Sequence, residues 1–349
     1  MTASSLKARR SESFLKQSRG FAREHPYVAT AGATIAALAL SALVNRQLAK
    51  KAARDNAPRG QFLEISGVRL HYIERGAGEP LVLLHGNGSM IQDFESSGLI
   101  DLAARNYRVV VFDRPGFGHS DRPRNVLWTP AAQADLINKA LQRLGVSHAL
   151  VLGHSWGASV AVSLALKHPE LVRGLVLASG YYYPTARADV LALSVPAVPL
   201  AGDVICYTLS PIASRVMWPV MMRKIFGPQS VPKKFVGFPK EMAVRPSQIR
   251  ASAAESALMI PDAVGLQDQY ANLKMPVSII AGEEDRLIDI DEQSCRLHAN
   301  VVQSKFHRVP GAGHMMHQTA TSLVMSAIDE VFEEMSLEPT GSARVKQHV

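Results

Sequence analysis

The chain contains, at positions 151–158, the sequence VLGHSWGA, which decides the fold it can adopt. The pattern G-x-S-x-G stands here between an apolar run typical of a buried strand and a helical pattern over 158–167. A serine on such a sharp turn has strained backbone angles, so small residues are needed two positions to either side. Gly153 and Gly157 meet this need. The pattern therefore predicts that the Ser155 hydroxyl projects above the sheet as a nucleophile.

The body of the chain around this turn alternates short apolar runs with longer helical patterns, which predicts a mostly parallel, doubly wound α/β sheet. Two runs separated by Gly67, at 62–66 and 68–74, predict an antiparallel hairpin that opens the sheet. Parallel strands are predicted at 81–84, 109–112, 149–152, 175–178, 277–281 and 305–309.

The alternation of strands and helices breaks once, over 181–272, where apolar helical segments punctuated by prolines follow one another. This pattern predicts a helical cap inserted into the sheet domain. The predicted organisation is a basic leader at 1–60, a core in two parts at 61–180 and 273–335, the cap between them, and a flexible polar tail at 336–349.

A serine nucleophile needs a base to take its proton and an acid to orient that base. Asp285 follows the predicted strand 277–281, and His314 follows the strand 305–309. Because both strands end at the same edge of the sheet as Ser155, we predict a Ser155–His314–Asp285 triad. Glu283 and Glu284 are the nearest rival acids, and each is interpreted as a solvated loop charge.

The negative oxygen of a tetrahedral intermediate needs two preorganised N–H donors. The backbone N–H of Trp156, next to the nucleophile, is the first candidate. Asn87, in the glycine-rich turn after the strand 81–84, is predicted to supply the second through its main chain.

The leader carries 11 basic and 3 acidic residues, whereas residues 61–349 contain 27 of each and are neutral. The excess charge of +8 therefore belongs to the leader, and the body has no electrostatic footprint for nucleic acid. Residues 27–44 contain no charge and predict a single membrane-spanning helix. A cleaved leader, either a signal or a transit peptide, is the alternative. Six basic residues precede this segment and five follow it, so the side of the membrane stays open.

The two cysteines are too few for a disulfide framework or a metal cluster. We expect neither a metal nor a cofactor. The sequence leaves the oligomeric state undetermined.

With these motifs in order, residues 61–335 resemble the α/β-hydrolase superfamily, in its capped, esterase-like form. The resemblance rests on His85-Gly86, the loop Asp113–Ser120, the turn at Ser155, Gly282 to Asp285, and Gly313-His314. It implies a serine hydrolase that cleaves carboxylic esters through an acyl-enzyme. Haloalkane dehalogenases of the same superfamily are similar at Asn87 and Trp156, but they and epoxide hydrolases use an aspartate nucleophile. A serine would form an ether that water cannot resolve, so both activities are rejected.

The cap is rich in aromatic and methionine side chains, which favours an apolar or lipid-like ester. The predicted substrate contacts are Trp218, Met221, Met222 and Tyr182. Packing of the cap on the core is the alternative role for these residues. Amide hydrolysis, carbon–carbon bond hydrolysis and cofactor-free perhydrolysis use the same triad and stay open, as does a non-catalytic binding protein.

Overall fold

The computed structural model describes residues 23–186 and 188–337. Eight strands in these residues form one sheet. They are β1 (Gln61–Ile65), β2 (Val68–Arg75), β3 (Glu79–Leu84), β4 (Tyr107–Phe112), β5 (Ala149–His154), β6 (Val172–Ala178), β7 (Val277–Gly282) and β8 (Lys305–Val309).

The strand order in the sheet is β1-β2-β4-β3-β5-β6-β7-β8. The pairs β1–β2 and β2–β4 are antiparallel, and every later pair is parallel. This topology confirms the predicted fold class. The predicted strands begin or end up to three residues away from the observed ones, with the largest difference at the start of β6.

Helices cover both faces of the sheet or form the segment between β6 and β7. Those outside that segment are α1 (Pro26–Asp55), α2 (Ile91–Ser97), α3 (Leu99–Ala103), α4 (Pro130–Arg143), α5 (Trp156–Lys167), α11 (Arg296–Asn300), α12 (Met316–Thr319) and α13 (Thr321–Leu337). One buried cluster joins the sheet to α4 and α5, and a second joins its other face to α2, α3 and α13. The helices on the two faces fix the sheet, whose parallel strands all have their carboxyl ends at the same edge.

Only helical elements occur in the described residues between β6 and β7. They are α6 (Ala188–Ser194), α7 (Ala201–Thr208), α8 (Ser210–Phe226), α9 (Lys240–Ala243) and α10 (Pro246–Leu266), with short 3-10 turns at Val195–Ala197, Lys233–Gly237 and Gln267–Asn272. We call residues 181–272 the cap. The predicted tail begins in the last turn of α13, and its residues from 338 onward lie outside the described part of the chain, as do residues 1–22 of the leader.

The helix α1 contains the uncharged segment 27–44 and continues through the basic residues that follow to Asp55. An 18-residue window of this helix has a mean hydropathy of 1.8, and none of the window is buried. Among the described residues it is the one helix long and apolar enough to cross a membrane. A second candidate arises if the bent pair 190–197 and 201–208 is counted as one span.

The C-terminal half of α1 is docked on the cap. Ser41 Oγ donates to the carbonyl of Thr208 at 2.8 Å, and Asn45 Nδ2 donates to the same carbonyl at 3.0 Å. Further along α1, the Ala52 side chain is buried among cap side chains. The helix is therefore attached to the cap through its second half, while most of its first half is exposed.

Candidate active site

The turn between β5 and α5 has the geometry that its glycines predict. Ser155 has φ 53° and ψ −122°, a left-handed backbone conformation that residues other than glycine rarely adopt. A Cβ atom on Gly153 would lie 2.4 Å from the carbonyl oxygen of Gly157, and one on Gly157 would lie 2.1 Å from that of Leu84. Because neither position has room for a side chain, the strained turn at Ser155 depends on both glycines.

His314 and Asp285 are brought together at the carboxyl ends of β8 and β7. The distance from His314 Nδ1 to Asp285 Oδ2 is 2.7 Å, and both side chains are almost fully buried. The other carboxylate oxygen of Asp285 accepts the backbone N–H groups of Leu287 at 2.8 Å and Ile288 at 3.1 Å. The carboxylate is thus fixed from both sides and orients the imidazole so that Nε2 is left for another partner.

The two loops that carry this pair are joined through their backbones. The N–H of Glu284 donates to the Ala312 carbonyl at 3.0 Å. A Cβ atom on Gly282 would lie 2.3 Å from the same oxygen, so the close approach requires a glycine. Glu283 is exposed and pairs with Arg308 at 3.0 Å, and Glu284 is exposed as well. These two acids are solvated, as the sequence suggested.

Ser155 lies beside this pair, because its neighbour His154 contacts the histidine loop. The distance from His154 Nε2 to the His314 carbonyl oxygen is 3.0 Å, and the two imidazole centroids are 5.0 Å apart. Within the described residues, Ser155 Oγ makes no hydrogen bond to His314. Bonds of this type are often long until a substrate binds, so the arrangement is compatible with a triad.

The two predicted oxyanion donors are carried by segments that adjoin the nucleophile. Trp156 is the first residue of α5, where a backbone N–H has no intrahelical partner. A Cβ on Gly86, next to Asn87, would lie 3.1 Å from Ser155 Cβ, so this loop backbone lies against the nucleophile. The side chain of Asn87 points to the cap, where Nδ2 donates to the Ser252 carbonyl and to Ser256 Oγ, each at 3.2 Å. The loop is thereby attached to α10.

The four predicted substrate contacts fall in different surroundings. Tyr182 is fully buried in the cluster between the sheet and α5, and its ring lies edge-on to Tyr270. Trp218 stacks on Phe238, and Met221 is 37% exposed. Met222 belongs to a cluster that reaches the residue after His314. This cluster comprises Ala52, Met90, Met222, Phe226, Phe235, Phe238, Met242 and Met315. The surroundings of Tyr182 favour a packing role, whereas Met222 and Trp218 pack in or against the cluster that contains Met315.

A buried ion pair that the sequence did not predict joins the cap to the core. Arg114, in the loop after β4, pairs with Glu255 of α10, and neither side chain is exposed. Arg114 also donates to the carbonyls of His85 at 2.7 Å and Gly86 at 3.0 Å. Since these two residues precede Asn87, the pair fixes the candidate oxyanion loop relative to the cap.

His85 is held neutral in this loop. Burial and the adjacent Arg114 guanidinium lower the pKa of His85 to about 3. Its Nε2 accepts the backbone N–H of Arg114 at 3.0 Å, which requires the unprotonated nitrogen. His85 is therefore a structural residue of the loop.

A second unpredicted group, Asp93, His154 and His317, is buried behind the histidine loop. Single ligand atoms of the three lie within 4.8 Å of one another, so these residues could hold a metal ion. The Asp93 carboxylate already accepts hydrogen bonds from Ser89 Oγ at 2.8 Å and Gln318 Nε2 at 2.9 Å, and His317 Nε2 lies 3.0 Å away. Burial opposes ionisation of Asp93, but His317, His154 and the Gln318 hydrogen bond together lower the pKa of the carboxyl. Asp93 has its partners, whereas His154 Nδ1 and both ring nitrogens of His317 are buried with no hydrogen bond in the described residues.

Taken together, the sheet topology, the strained serine and the adjacent His–Asp pair define a hydrolase of the α/β class. The sequence model of the alpha/beta hydrolase fold matches residues 79–321, and the chain belongs to this family.

Individual relatives of the chain differ in their chemistry. Haloalkane dehalogenase 2 of Mycobacterium bovis is 24% identical over 78% of this chain and 94% of its own length. A 2-hydroxymuconate semialdehyde hydrolase of a Pseudomonas species is 33% identical over 38% of this chain and 48% of its own. Among solved structures, a bacterial membrane phospholipase A is similar with a TM-score of 0.63 and 18% identity, over 95% of this chain and all of that one. The two sequence relatives support hydrolase activity, the likeness to the solved structure shows the fold alone, and neither identifies the bond that is cleaved.

Proposed function

We propose that the protein is a serine hydrolase that cleaves carboxylic esters of apolar, lipid-like substrates through an acyl-enzyme intermediate. The observation that carries this proposal is the strained Ser155 beside a His314–Asp285 pair whose Nδ1 to Oδ2 distance is 2.7 Å. A base oriented by a buried carboxylate next to a half-buried nucleophilic serine is the arrangement that acyl transfer requires.

In the first half of the reaction, Ser155 Oγ attacks the ester carbonyl carbon while His314 Nε2 takes its proton. The backbone N–H groups of Trp156 and Asn87 stabilise the negative oxygen of the tetrahedral intermediate. The intermediate collapses, the C–O bond to the alcohol breaks, and His314 returns the proton to the leaving alcohol. Asp285 stabilises the imidazolium that forms in between.

In the second half, His314 activates a water molecule that attacks the acyl carbon. A second tetrahedral intermediate forms in the same oxyanion site and expels Ser155. The carboxylic acid leaves, and Ser155 recovers its proton from His314. The nucleophile, the base, the acid and the two N–H donors in both halves are groups of the polypeptide.

We do not extend the halide displacement of the dehalogenase relatives to this chain, because they use an aspartate nucleophile and the chain has Ser155 at that position. Displacement of halide by Ser155 would leave an alkyl ether, which has no carbonyl carbon for water to attack. The Asn87 side chain is also bound by Ser252 and Ser256 of the cap, so its Nδ2 is already occupied. These two observations favour acyl transfer over halide displacement.

An apolar substrate and attachment to a membrane are supported by α1 and the cap. The uncharged segment 27–44 of α1 is eighteen residues long, at the lower limit of what is needed to cross the hydrocarbon layer. The membrane phospholipase A matches 95% of this chain, a range that extends beyond the hydrolase domain. We therefore include a single-pass N-terminal anchor in the proposal, with the cap at 181–272 selecting the acyl chain.

A carbon–carbon bond hydrolase is the second candidate, because the Pseudomonas relative that is 33% identical cleaves a semialdehyde. The two functions are separated by assaying the full-length protein in detergent. The panel contains p-nitrophenyl esters of increasing acyl length, a phospholipid, and a ring-fission semialdehyde. We expect turnover of the longer esters that is lost in Ser155→Ala. Turnover of the semialdehyde with no ester hydrolysis would overturn the ester proposal.

A further inference from the structure

One face of α8 is apolar and exposed along three turns of the helix. Its side chains follow one another at intervals of three or four residues, so they lie on the same side. They are Leu209, which directly precedes the helix (55% exposed), Ile212 (49%), Val216 (70%) and Val220 (46%). We call these four residues the apolar stripe. Elsewhere on α8, Met222 and Phe226 are buried in the cluster with Phe235, Phe238 and Met242.

The apolar stripe begins beside the point where the uncharged part of α1 ends. Ser41 and Asn45 of α1 both donate to the Thr208 carbonyl, and Thr208 directly precedes Leu209. Arg215, which precedes Val216, donates to Asn45 Oδ1 at 3.2 Å. The stripe from Leu209 to Val216 is therefore at the level of Ser41 and Asn45 on α1.

Immediately after this level, α1 becomes basic. Arg46, Lys50, Lys51 and Arg54 are exposed, and the one acid of the same stretch, Asp55, is paired with Lys51. Basic residues that follow an apolar span lie at the headgroups of anionic lipids, where each contributes about 1 kcal/mol. The basic turns of α1 thus indicate the headgroup level, and the apolar stripe lies next to it.

We propose that the apolar stripe inserts at the boundary between the headgroups and acyl chains of a bilayer that contains anionic phospholipids. An amphipathic helix at this boundary buries its apolar side in the lipid, while its other side contacts the protein. The cap is then held against the membrane that α1 enters. This proposal rests on the membrane attachment included in the proposed function, and it is independent of the bond that the enzyme cleaves.

A second copy of the chain fits the apolar stripe less well than a bilayer does. In a two-fold dimer the same surface faces itself, so the basic turns of the two α1 helices would be brought together. Facing like charges are costly, whereas anionic headgroups compensate them. The charge beside the stripe therefore favours a lipid surface.

The test uses the full-length protein in nanodiscs of phosphatidylcholine and phosphatidylglycerol, in a Cys206→Ala, Cys295→Ala background. An environment-sensitive fluorophore is attached at Val216→Cys, with Val302→Cys as the control, an apolar position that is 89% exposed beyond α11. We expect a nitroxide lipid labelled near the headgroup to quench the Val216 probe at least twofold and the Val302 probe hardly at all. Equal quenching at the two positions would overturn the proposal.

A third probe at Ile35→Cys, in the uncharged part of α1, separates this proposal from the membrane attachment itself. Quenching at Ile35 by a deep nitroxide without quenching at Val216 overturns the stripe proposal and leaves the anchor intact. No quenching at either position overturns both. The Val216 fluorophore could instead report an apolar environment that is lost on dilution and is unaffected by nitroxide lipid. That result assigns the stripe to a second copy of the chain. Quenching that is equally strong in phosphatidylcholine alone overturns the requirement for anionic lipid.

Discussion

Arg114 and Glu255 form a fully buried ion pair between the loop after β4 and the cap helix α10. One guanidinium nitrogen lies 3.0 Å from Glu255 Oε2, and the same nitrogen donates to the Gly86 carbonyl at 3.0 Å. Because Gly86 precedes Asn87, a displacement of the cap is transmitted to the candidate oxyanion loop. Under the proposed function, this pair would link the cap to the chemistry at Ser155.

We predict that Glu255→Ala lowers the free energy of unfolding by about 3–5 kcal/mol, since it leaves the Arg114 charge buried without compensation. Asp55→Ala is the matched control, because both side chains of its ion pair with Lys51 are more than half exposed and the pair contributes less than about 1 kcal/mol. Chemical denaturation of both variants in detergent measures the difference. Equal losses in the two variants would contradict the role of the buried pair.

Asp285→Asn is expected to reduce kcat for ester hydrolysis by roughly 10³–10⁴-fold with the fold retained. The amide oxygen is expected to keep the hydrogen bonds from the Leu287 and Ile288 N–H groups, so the NH₂ group faces His314 Nδ1 and donates to it. The ring proton then lies on Nε2, which is the wrong tautomer for a base. Glu284→Gln, one residue away and exposed, should leave kcat within about twofold of the wild type, because surface charges are weakly coupled to the site. A large loss of kcat in Glu284→Gln with little change in Asp285→Asn would contradict the assignment of Asp285 as the acid of the triad.

Asn87→Ala should reduce kcat by less than about tenfold, since the proposed donor is the backbone N–H and the side chain only attaches the loop to Ser252 and Ser256. A side chain that donated to the oxyanion would cost about 10²–10³-fold when removed. Steady-state kinetics with a p-nitrophenyl ester distinguish the two cases.

Asp262 should make a contribution to the stability of the protein that falls as the pH rises from 4 towards 7. Burial, reinforced by the negative Glu255, raises the pKa of this carboxyl from 3.8 to about 7. The folded state therefore holds a proton that the unfolded state has released, and its stabilising effect is lost as the pH passes through 7. Asp262→Asn should flatten this dependence and be more stable by ~1–2 kcal/mol at pH 8, allowing for solvent screening. Parallel profiles for variant and wild type would contradict the assignment.

The sheet could be predicted from sequence because its parallel strands are continuous apolar runs with breaks at glycine and polar loops. The same regularity located Ser155, Asp285 and His314, since each follows the end of such a strand. The length of α1 was underestimated, because the predicted segment stopped at the first charged residues. Lysine, arginine and alanine are good helix formers, and the helix continues through them to Asp55.

Contacts between distant parts of the chain were not predictable in the same way. Arg114 and Glu255 are 141 positions apart, and nothing in the local pattern around Glu255 marks it as buried. His317 resembles any polar residue at the start of a helix until the fold places it beside Asp93. Tyr182 likewise carried no signal to distinguish a substrate contact from a core residue. These features depend on how the cap and the sheet meet.

The most direct measurement of the central claim is covalent labelling of the full-length protein with a fluorophosphonate, followed by mass spectrometry of its peptides. The account predicts one adduct, on Ser155, that is absent from Ser155→Ala and retained in Ser159→Ala, a buried serine one helical turn away. The same Ser155→Ala variant should lose ester turnover. A folded wild-type protein that stays unlabelled, or an adduct on another serine, would contradict the claim that Ser155 is the activated nucleophile.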